Sequence, residues 1–258
     1  MELSKRLEAT SHFLFRHRGT LPAGTLLLFL LALNGYTDAN TPAAVDFLWE
    51  TGLIGFILAG IAVRVVTVGA GPPGTSGRNT RTQVADALNT TGIYSLLRHP
   101  LYVGNFFIFL GIALFPQNGW VAAVCVLAFW LFYLPIMMAE EEFLRRKFGA
   151  AFLEWTRHTP AILPLSWRWR RSDRGFSWRK ALRREYQTVY AVIWFYVLLD
   201  MTEDYFHEGL LLPDRELWIL LGVSTFPYLV LLAISKRTRW LEDDPPAPAA
   251  PSPPAQPA

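Results

Sequence analysis

The sequence predicts an all-α fold, a polytopic membrane helix bundle with about six membrane segments. Hydrophobic residues make up 52% of the 258 residues and the mean hydropathy is +0.24, both unusual for a soluble domain. No charged residue occurs between Leu101 and Ala139. As one helix this run would be about 58 Å long, against roughly 30 Å of bilayer hydrocarbon. It is therefore predicted to fold back as a helical hairpin at residues 101–138.

The six predicted segments are apolar runs that approach the roughly 20 residues needed to cross a bilayer. They cover residues 21–36, 46–69, 100–115, 119–138, 186–201 and 216–235. The first and third are short, so we expect them to be tilted, bent or only partly spanning. Proline, glycine and side-chain amides at 115–119 predict the turn of the hairpin.

The distribution of charged residues among the loops predicts the orientation of the chain in the membrane. If all six segments cross and the N-terminus is cytoplasmic, Arg215 alone among 24 Lys and Arg lies in an outer loop. That excess of cations on one side is the positive-inside pattern, and the outer loop 202–215 is acidic instead. We therefore expect a multi-pass integral membrane protein with both termini in the cytoplasm.

Composition divides the chain into four regions: N-terminal membrane helices at 1–69, a core at 70–165, a basic interfacial segment with two further membrane helices at 166–241, and a tail at 242–258. Arginine and tryptophan alternate in the third region, which is typical of the membrane interface. The tail is mostly proline and alanine and is predicted to be disordered.

The net charge of +3 and pI near 9.1 do not predict nucleic-acid binding, because the cations lie in membrane-proximal loops. Attraction to anionic lipid or to an anionic substrate explains them better. Cys125 is the single cysteine, so neither an internal disulfide nor a cysteine metal cluster is expected. No metal site is predicted.

The most informative motif precedes the hairpin, where residues 98–104 read Arg-His-Pro-Leu-Tyr-Val-Gly. Pro100 suits the first turn of a helix, since its missing N–H has no partner there. Free amides at such a helix start favour an anion, and Gly104 permits close approach. The block predicts a polar site at the membrane surface. The alternative is a snorkelling arginine, an interfacial histidine and a glycine used for helix packing.

Three consecutive acids, Glu140, Glu141 and Glu142, follow the apolar run. They oppose both the helix dipole and the charge bias of the loop. On a continuing helix they point about 100 degrees apart, so at least one is expected to face inward. The alternative places them on a solvated face, paired at i,i+4 with Arg145 and Arg146.

Both motifs together resemble the isoprenylcysteine carboxyl methyltransferase and phospholipid methyltransferase superfamily. The resemblance covers roughly residues 88–165. It rests on Arg-His-Pro-x-Tyr-x-Gly at 98–104, the apolar hairpin, Glu140-Glu141-x-x-Leu144-x-x-x-Phe148-Gly149-x-x-Phe152-x-x-Trp155, and Pro160-x-x-x-Pro164. Phe152 and Trp155 stand where tyrosines are usual in the family.

The resemblance implies a membrane methyltransferase that uses S-adenosyl-L-methionine, enclosed by the hairpin and the cytoplasmic segment after it. The implied cofactor-binding residues are His99, Pro100, Leu101, Tyr102, Gly104, Glu140 and Glu141. The implied catalytic residues are Arg98, His99, Glu141 and Arg145. The chemistry agrees, because carboxylates and aromatic faces stabilise a sulfonium cation and an arginine or helix N-terminus suits a carboxylate.

Arginines near the site favour an anionic acceptor, since the guanidinium fork fits carboxylate and phosphate oxygens. We assign Arg78, Arg81 and Arg98 to substrate binding and expect O-methylation of an acidic lipid or lipid-linked group. An ionised acceptor needs no general base, whereas an amine would use Glu141 or His99.

Two alternatives stay open at this point. One is an NADPH-dependent membrane reductase of the sterol-reductase type, which carries a similar Arg-His-x-x-Tyr-x-Gly block. The other is a non-catalytic lipid-binding membrane protein. The sequence assigns neither the acceptor nor the oligomeric state.

Overall fold

A computed structural model describes residues 42–71, 85, 87–164, 168–172, 175–209, 214–238 and 240. The α-helices among these are α1 (Ala43–Ala70), α2 (Pro100–Ala113), α3 (Gly119–Phe148), α4 (Ala150–His158), α5 (Trp178–Glu208) and α6 (Arg215–Arg237). A short 3-10 helix, Ile93–Ser95, precedes α2. These residues include no β-strand beyond one isolated bridge, so the predicted all-α class is confirmed.

Three described helices, α1, α3 and α6, are long and apolar enough to cross a bilayer. The helix α5 contains the predicted segment 186–201 but is not among them, because it begins in a basic stretch and ends in an acidic one. The predicted segment 21–36 and the tail 242–258 lie outside the described residues. The described chain is thus an integral membrane bundle with three apolar spans, and the count of about six is not confirmed.

The predicted hairpin consists of α2 and α3. Pro100 is the first residue of α2, as the sequence predicts, and His99 precedes it. Fourteen residues make α2 about 21 Å long, too short to cross roughly 30 Å of hydrocarbon. Asn118 caps the start of α3, where its side-chain oxygen accepts hydrogen bonds from the amides of Trp120 and Val121 at 3.1 and 3.2 Å. This cap satisfies amides that would otherwise lack partners at the helix start.

Aromatic side chains fill the space between α2 and α3. Phe109 packs against Phe129, and Phe129 against Tyr133, with ring centroids 5.3 and 4.4 Å apart. Cys125 is fully buried in the same cluster, in agreement with a packing role. The hairpin is therefore a rigid support for the polar residues at its two ends.

Glycines bring the backbones of α1 and α2 into direct contact. A Cβ added at Gly60 would lie 2.5 Å from the carbonyl oxygen of Gly104, and one at Gly111 would lie 2.8 Å from that of Leu53. Small residues allow helices in a membrane to approach this closely. Gly104, predicted to contact the cofactor, thus packs against α1 in this structure.

We expect Gly60→Ala to lower the free energy of unfolding by about 1–3 kcal/mol, since the methyl group would overlap a backbone atom that cannot move aside. Gly55→Ala on the same helix is the matched control, because nothing lies within 4 Å of its Cβ position. That substitution should be neutral or stabilising by up to about 1 kcal/mol. Thermal unfolding in one detergent compares them, and equal stability of the two variants would contradict the packing.

An ion pair joins α1 to α5. Arg64 Nε donates to Glu185 Oε2 at 2.8 Å, and its Nη2 donates to Glu185 Oε1 at 3.0 Å. Arg64 Nη1 also bonds Asn105 of α2. Nearby, the buried Lys180 donates from Nζ to the carbonyl of Gly71 at 2.7 Å. These bonds hold the start of α5 against the end of α1.

Candidate active site

The segment after α4 positions the two residues that precede α2. The amide of Arg98 donates to the carbonyl of Pro160 at 2.9 Å, and the amide of His99 donates to that of Ala161 at 3.0 Å. Trp155 of α4 donates from Nε1 to the carbonyl of Tyr94 at 3.1 Å. The first two bonds attach Arg98 and His99 to the segment after α4, so neither is part of a free loop.

His99 lies between two carboxylates from the last turns of α3. Its ring is buried, with 6% of the residue exposed. Nε2 donates to Glu141 Oε1 at 2.9 Å, and Nδ1 lies 3.9 Å from Glu140 Oε2. The two polar motifs, far apart in sequence, therefore meet at one point.

Glu140 is oriented by tyrosine. The hydroxyl of Tyr102 donates to Glu140 Oε1 at 2.7 Å, and the Tyr102 ring packs against Tyr133 at 5.3 Å. Burial raises the pKa of the Tyr94 hydroxyl, and the negative charge of Glu140 adds to that rise.

Arg98 completes the cluster. One of its terminal nitrogens, Nη1, lies 3.3 Å from Glu141 Oε2. Its Nε is buried and has no hydrogen-bond partner among the described residues. An unpaired buried donor is costly, so this nitrogen is suited to an acceptor oxygen supplied by a ligand.

The acidic triplet divides between two environments. Glu140 and Glu141 face His99, whereas Glu142 faces outward and accepts from Arg145 at 2.8 and 2.9 Å and from Arg146 at 2.7 Å. The expectation that at least one acid faces inward is confirmed for two. The alternative pairing of Glu141 with Arg145 is wrong, because Glu141 pairs with Arg98 and His99 instead.

The remaining predicted site residues do not all lie in this polar cluster. Pro100 is buried at the start of α2, and Leu101 beside it is partly buried. Arg145 lies on the outer face, with 56% of its side chain exposed. Arg78 and Arg81 lie outside the described residues.

The structure adds participants that the sequence reasoning missed. The backbone carbonyls of Tyr94, Pro160 and Ala161 position the elements of the site, although the sequence analysis gives none of them a role there. The spacing Pro160-x-x-x-Pro164 was noted only as a part of the family pattern. A proline pair marks an extended chain, and this is the available signal for a segment whose carbonyls accept hydrogen bonds from the two residues before α2.

The arrangement can bind a molecule that carries both positive and negative groups. Two carboxylates and a tyrosine ring offer contacts for a cation, and a guanidinium with an unpaired nitrogen offers one for an anion. The apolar hairpin beside them limits access of water from the membrane side. Such a site suits a charged cofactor bound next to a lipid phase.

Comparison with known proteins gives consistent matches. A family described as phospholipid methyltransferase matches residues 51–151. The cobalt-zinc-cadmium resistance protein CzcN of Cupriavidus metallidurans is 30% identical over 204 residues, which are 78% of this chain and 88% of CzcN. The nickel-cobalt-cadmium resistance protein NccN of Alcaligenes xylosoxydans xylosoxydans is 42% identical over 77 residues, which are 30% of this chain and 36% of NccN.

Protein-S-isoprenylcysteine O-methyltransferase B of Arabidopsis thaliana is 27% identical over 113 residues, which are 44% of this chain and 57% of that protein. No solved structure matches. The matched family region includes both motifs, 98–104 and the acidic triplet, and ends shortly after α3.

Proposed function

The chain belongs to the isoprenylcysteine carboxyl methyltransferase and phospholipid methyltransferase superfamily and is a membrane methyltransferase, and from this premise we propose that its methyl donor is S-adenosyl-L-methionine and its acceptor an anionic lipid or lipid-linked group. The observation that carries the proposal is the contact of His99 with Glu141 at 2.9 Å. It unites the two motifs in one polar cluster at the end of an apolar hairpin.

The described residues fit the donor. Its sulfonium and ammonium cations require carboxylates or aromatic faces, and Glu140, Glu141 and Tyr102 supply them. Its carboxylate requires a cationic donor, and the unpaired Nε of Arg98 is available. When bound, S-adenosyl-L-methionine supplies the methyl group that is transferred to the acceptor oxygen.

The protein's own residues position the donor and the acceptor and exclude water from them. His99 and Arg98 hold the Glu141 carboxylate from two sides, and Tyr102 holds that of Glu140. Contacts of this kind hold the groups in fixed orientations, which lowers the cost of alignment in an in-line displacement. An ionised acceptor has no proton to remove, so no general base is required. An amine acceptor would need one, and His99 with Glu141 would be the pair to serve.

The acceptor side of the proposal rests on position and charge. The cluster adjoins apolar helices, so a lipid can reach it from the bilayer while the donor enters from water. Arg98 favours an anionic group, and we propose that Arg78 and Arg81 also bind the acceptor. Because two bacterial relatives are named for metal resistance, we propose that the methylated component contributes to tolerance of such metals. We also propose that the polar cluster faces the cytoplasm, as the positive-inside pattern predicts.

Radiolabelled donor added to membranes that contain the protein tests the reaction. We expect label in the lipid fraction, released by mild base when the product is a methyl ester, and a rise in melting temperature with S-adenosyl-L-methionine but not with NADPH. Loss of the protein should also reduce growth on cobalt, zinc or cadmium. Label confined to amines would contradict an anionic acceptor. Stabilisation by NADPH alone would favour the reductase, and no label with no ligand response would favour a lipid-binding protein.

A further inference from the structure

A groove opens between α5 and α6, away from the polar cluster. Its volume is about 300 Å³, which lies at the lower end of the range of about 300–1,000 Å³ typical of ligand sites. Its walls are aliphatic and aromatic, with Val65 of α1 closing one side. None of the described residues of the polar cluster lines it. Apart from Val65, its lining residues lie beyond the region that matches the family, which ends at residue 151.

The shape of the groove suits an extended hydrocarbon chain. Its lining residues on α5 run from Trp178 to Ile193, about 22 Å of helix, comparable with one leaflet and its headgroup region, half of a total bilayer thickness of about 40–45 Å. Tyr190 and Tyr228 stack at 4.0 Å and form part of the wall. The hydroxyl of Ser224 is already bonded to the carbonyl of Leu221 at 3.2 Å. The wall therefore offers chiefly apolar contacts.

One lining residue is acidic, and its charge is neutralised from outside the groove. Glu185 is 4% exposed at its side chain and accepts two hydrogen bonds from Arg64. A carboxylate paired in this way is not a free negative charge. It does not repel an anionic lipid from the groove.

The groove is basic at one end. Arg179 and Arg183 each follow a lining residue of α5, and Lys236 and Arg237 occupy the last turn of α6, which runs antiparallel to α5. The guanidinium of Arg179 stacks over the Trp240 ring at 5.4 Å. The opposite end of the same helix pair is acidic, with residues such as Asp200, Asp214 and Glu216. This polarity selects an anionic headgroup at the basic end, where Trp178 also lies.

We propose that the α5–α6 groove is a binding site for an anionic phospholipid, with one acyl chain between the helices and the phosphate at the basic end. This site is separate from the polar cluster at which we propose that the methyl acceptor binds. It assigns a role to the two C-terminal helices, neither of which contributes a described residue to the polar cluster.

Native mass spectrometry and thermal unfolding of the full chain test the proposal, in nanodiscs of phosphatidylcholine with and without phosphatidylglycerol. We expect one phosphatidylglycerol to be retained per chain and to raise the melting temperature. Ser224→Trp, which fills the groove, should weaken that retention by about tenfold or more. Val223→Trp is the matched control, because its side chain is 69% exposed and does not line the groove.

A second pair of variants tests the headgroup. Arg179→Gln combined with Arg183→Gln should remove the preference for phosphatidylglycerol over phosphatidylcholine. Arg157→Gln, an exposed arginine on α4, should keep it. Equal retention of both lipids by the unaltered chain, or unchanged retention in Ser224→Trp, would overturn the proposal. Neither readout depends on methyl transfer, so the outcome is independent of the proposed function.

Discussion

Replacing Glu141 with glutamine is expected to reduce the rate of methyl transfer by about 100-fold or more, the scale seen when one preorganised polar group of an active site is removed. The carboxylate of Glu141 contacts both His99 and Arg98. Glutamine keeps the size of the side chain but loses the charge, so the imidazole and the guanidinium lose their common anchor. The stabilisation of a bound cation falls at the same time.

Glu142→Gln is the matched control for that substitution. It makes the same chemical change at the adjacent position, but Glu142 pairs on the outer face with Arg145 and Arg146. Exposed pairs of this kind contribute little, so we expect transfer within about twofold of the unaltered enzyme. Initial rates with labelled donor in reconstituted vesicles measure both. Equal losses of transfer rate in the two variants would show that the inward position of Glu141 does not cause the loss.

Replacing Glu185 with glutamine is expected to lower the free energy of unfolding by about 3–5 kcal/mol, because it leaves the Arg64 charge buried without its partner. Arg64 and Glu185 expose only 16% and 4% of their side chains. A charge in such a position among membrane helices has no ready route to water. The double substitution Arg64→Met with Glu185→Leu should recover most of the loss, since no unpaired charge then remains.

Glu154→Gln provides the comparison with an exposed ion pair that contributes little to the free energy of unfolding. Glu154 bonds Arg157 at 3.0 Å on the exposed surface of α4, where we expect a change within about 1 kcal/mol. Thermal unfolding of the four proteins in one detergent gives the ranking. If Glu185→Gln unfolds at the same temperature as Glu154→Gln, the ion pair does not hold α1 to α5.

Local rules were sufficient for several features of the chain. Pro100 marks the start of α2, because the missing N–H of proline would have no helical partner in a first turn. The uncharged run requires a hairpin, because its length as one helix exceeds the bilayer. The order of the two polar motifs indicates the superfamily and hence methyl transfer. Each of these depends on residues close together in sequence or on simple length.

Local sequence rules do not predict which face of a helix packs against its neighbours. The spacing of Glu140, Glu141 and Glu142 shows that they diverge, but only packing against α2 decides that the first two face His99 and the third does not. Gly104 fits a ligand contact or a helix crossing equally well in sequence, and the tertiary structure shows the close approach of α1 at this residue. The helix α5 combines charged and apolar stretches, so hydropathy alone does not show whether it crosses the bilayer.

The sequence by itself determined the class of fold, the hairpin and the chemical types of residue at the site, since hydropathy and motif order are properties of the chain alone. The tertiary structure decided which carboxylates meet the imidazole, that Arg64 reaches Glu185, and that α5 and α6 leave a groove with a basic end. These depend on contacts between residues far apart in the chain, and such contacts follow from the packing of whole helices rather than from any local pattern.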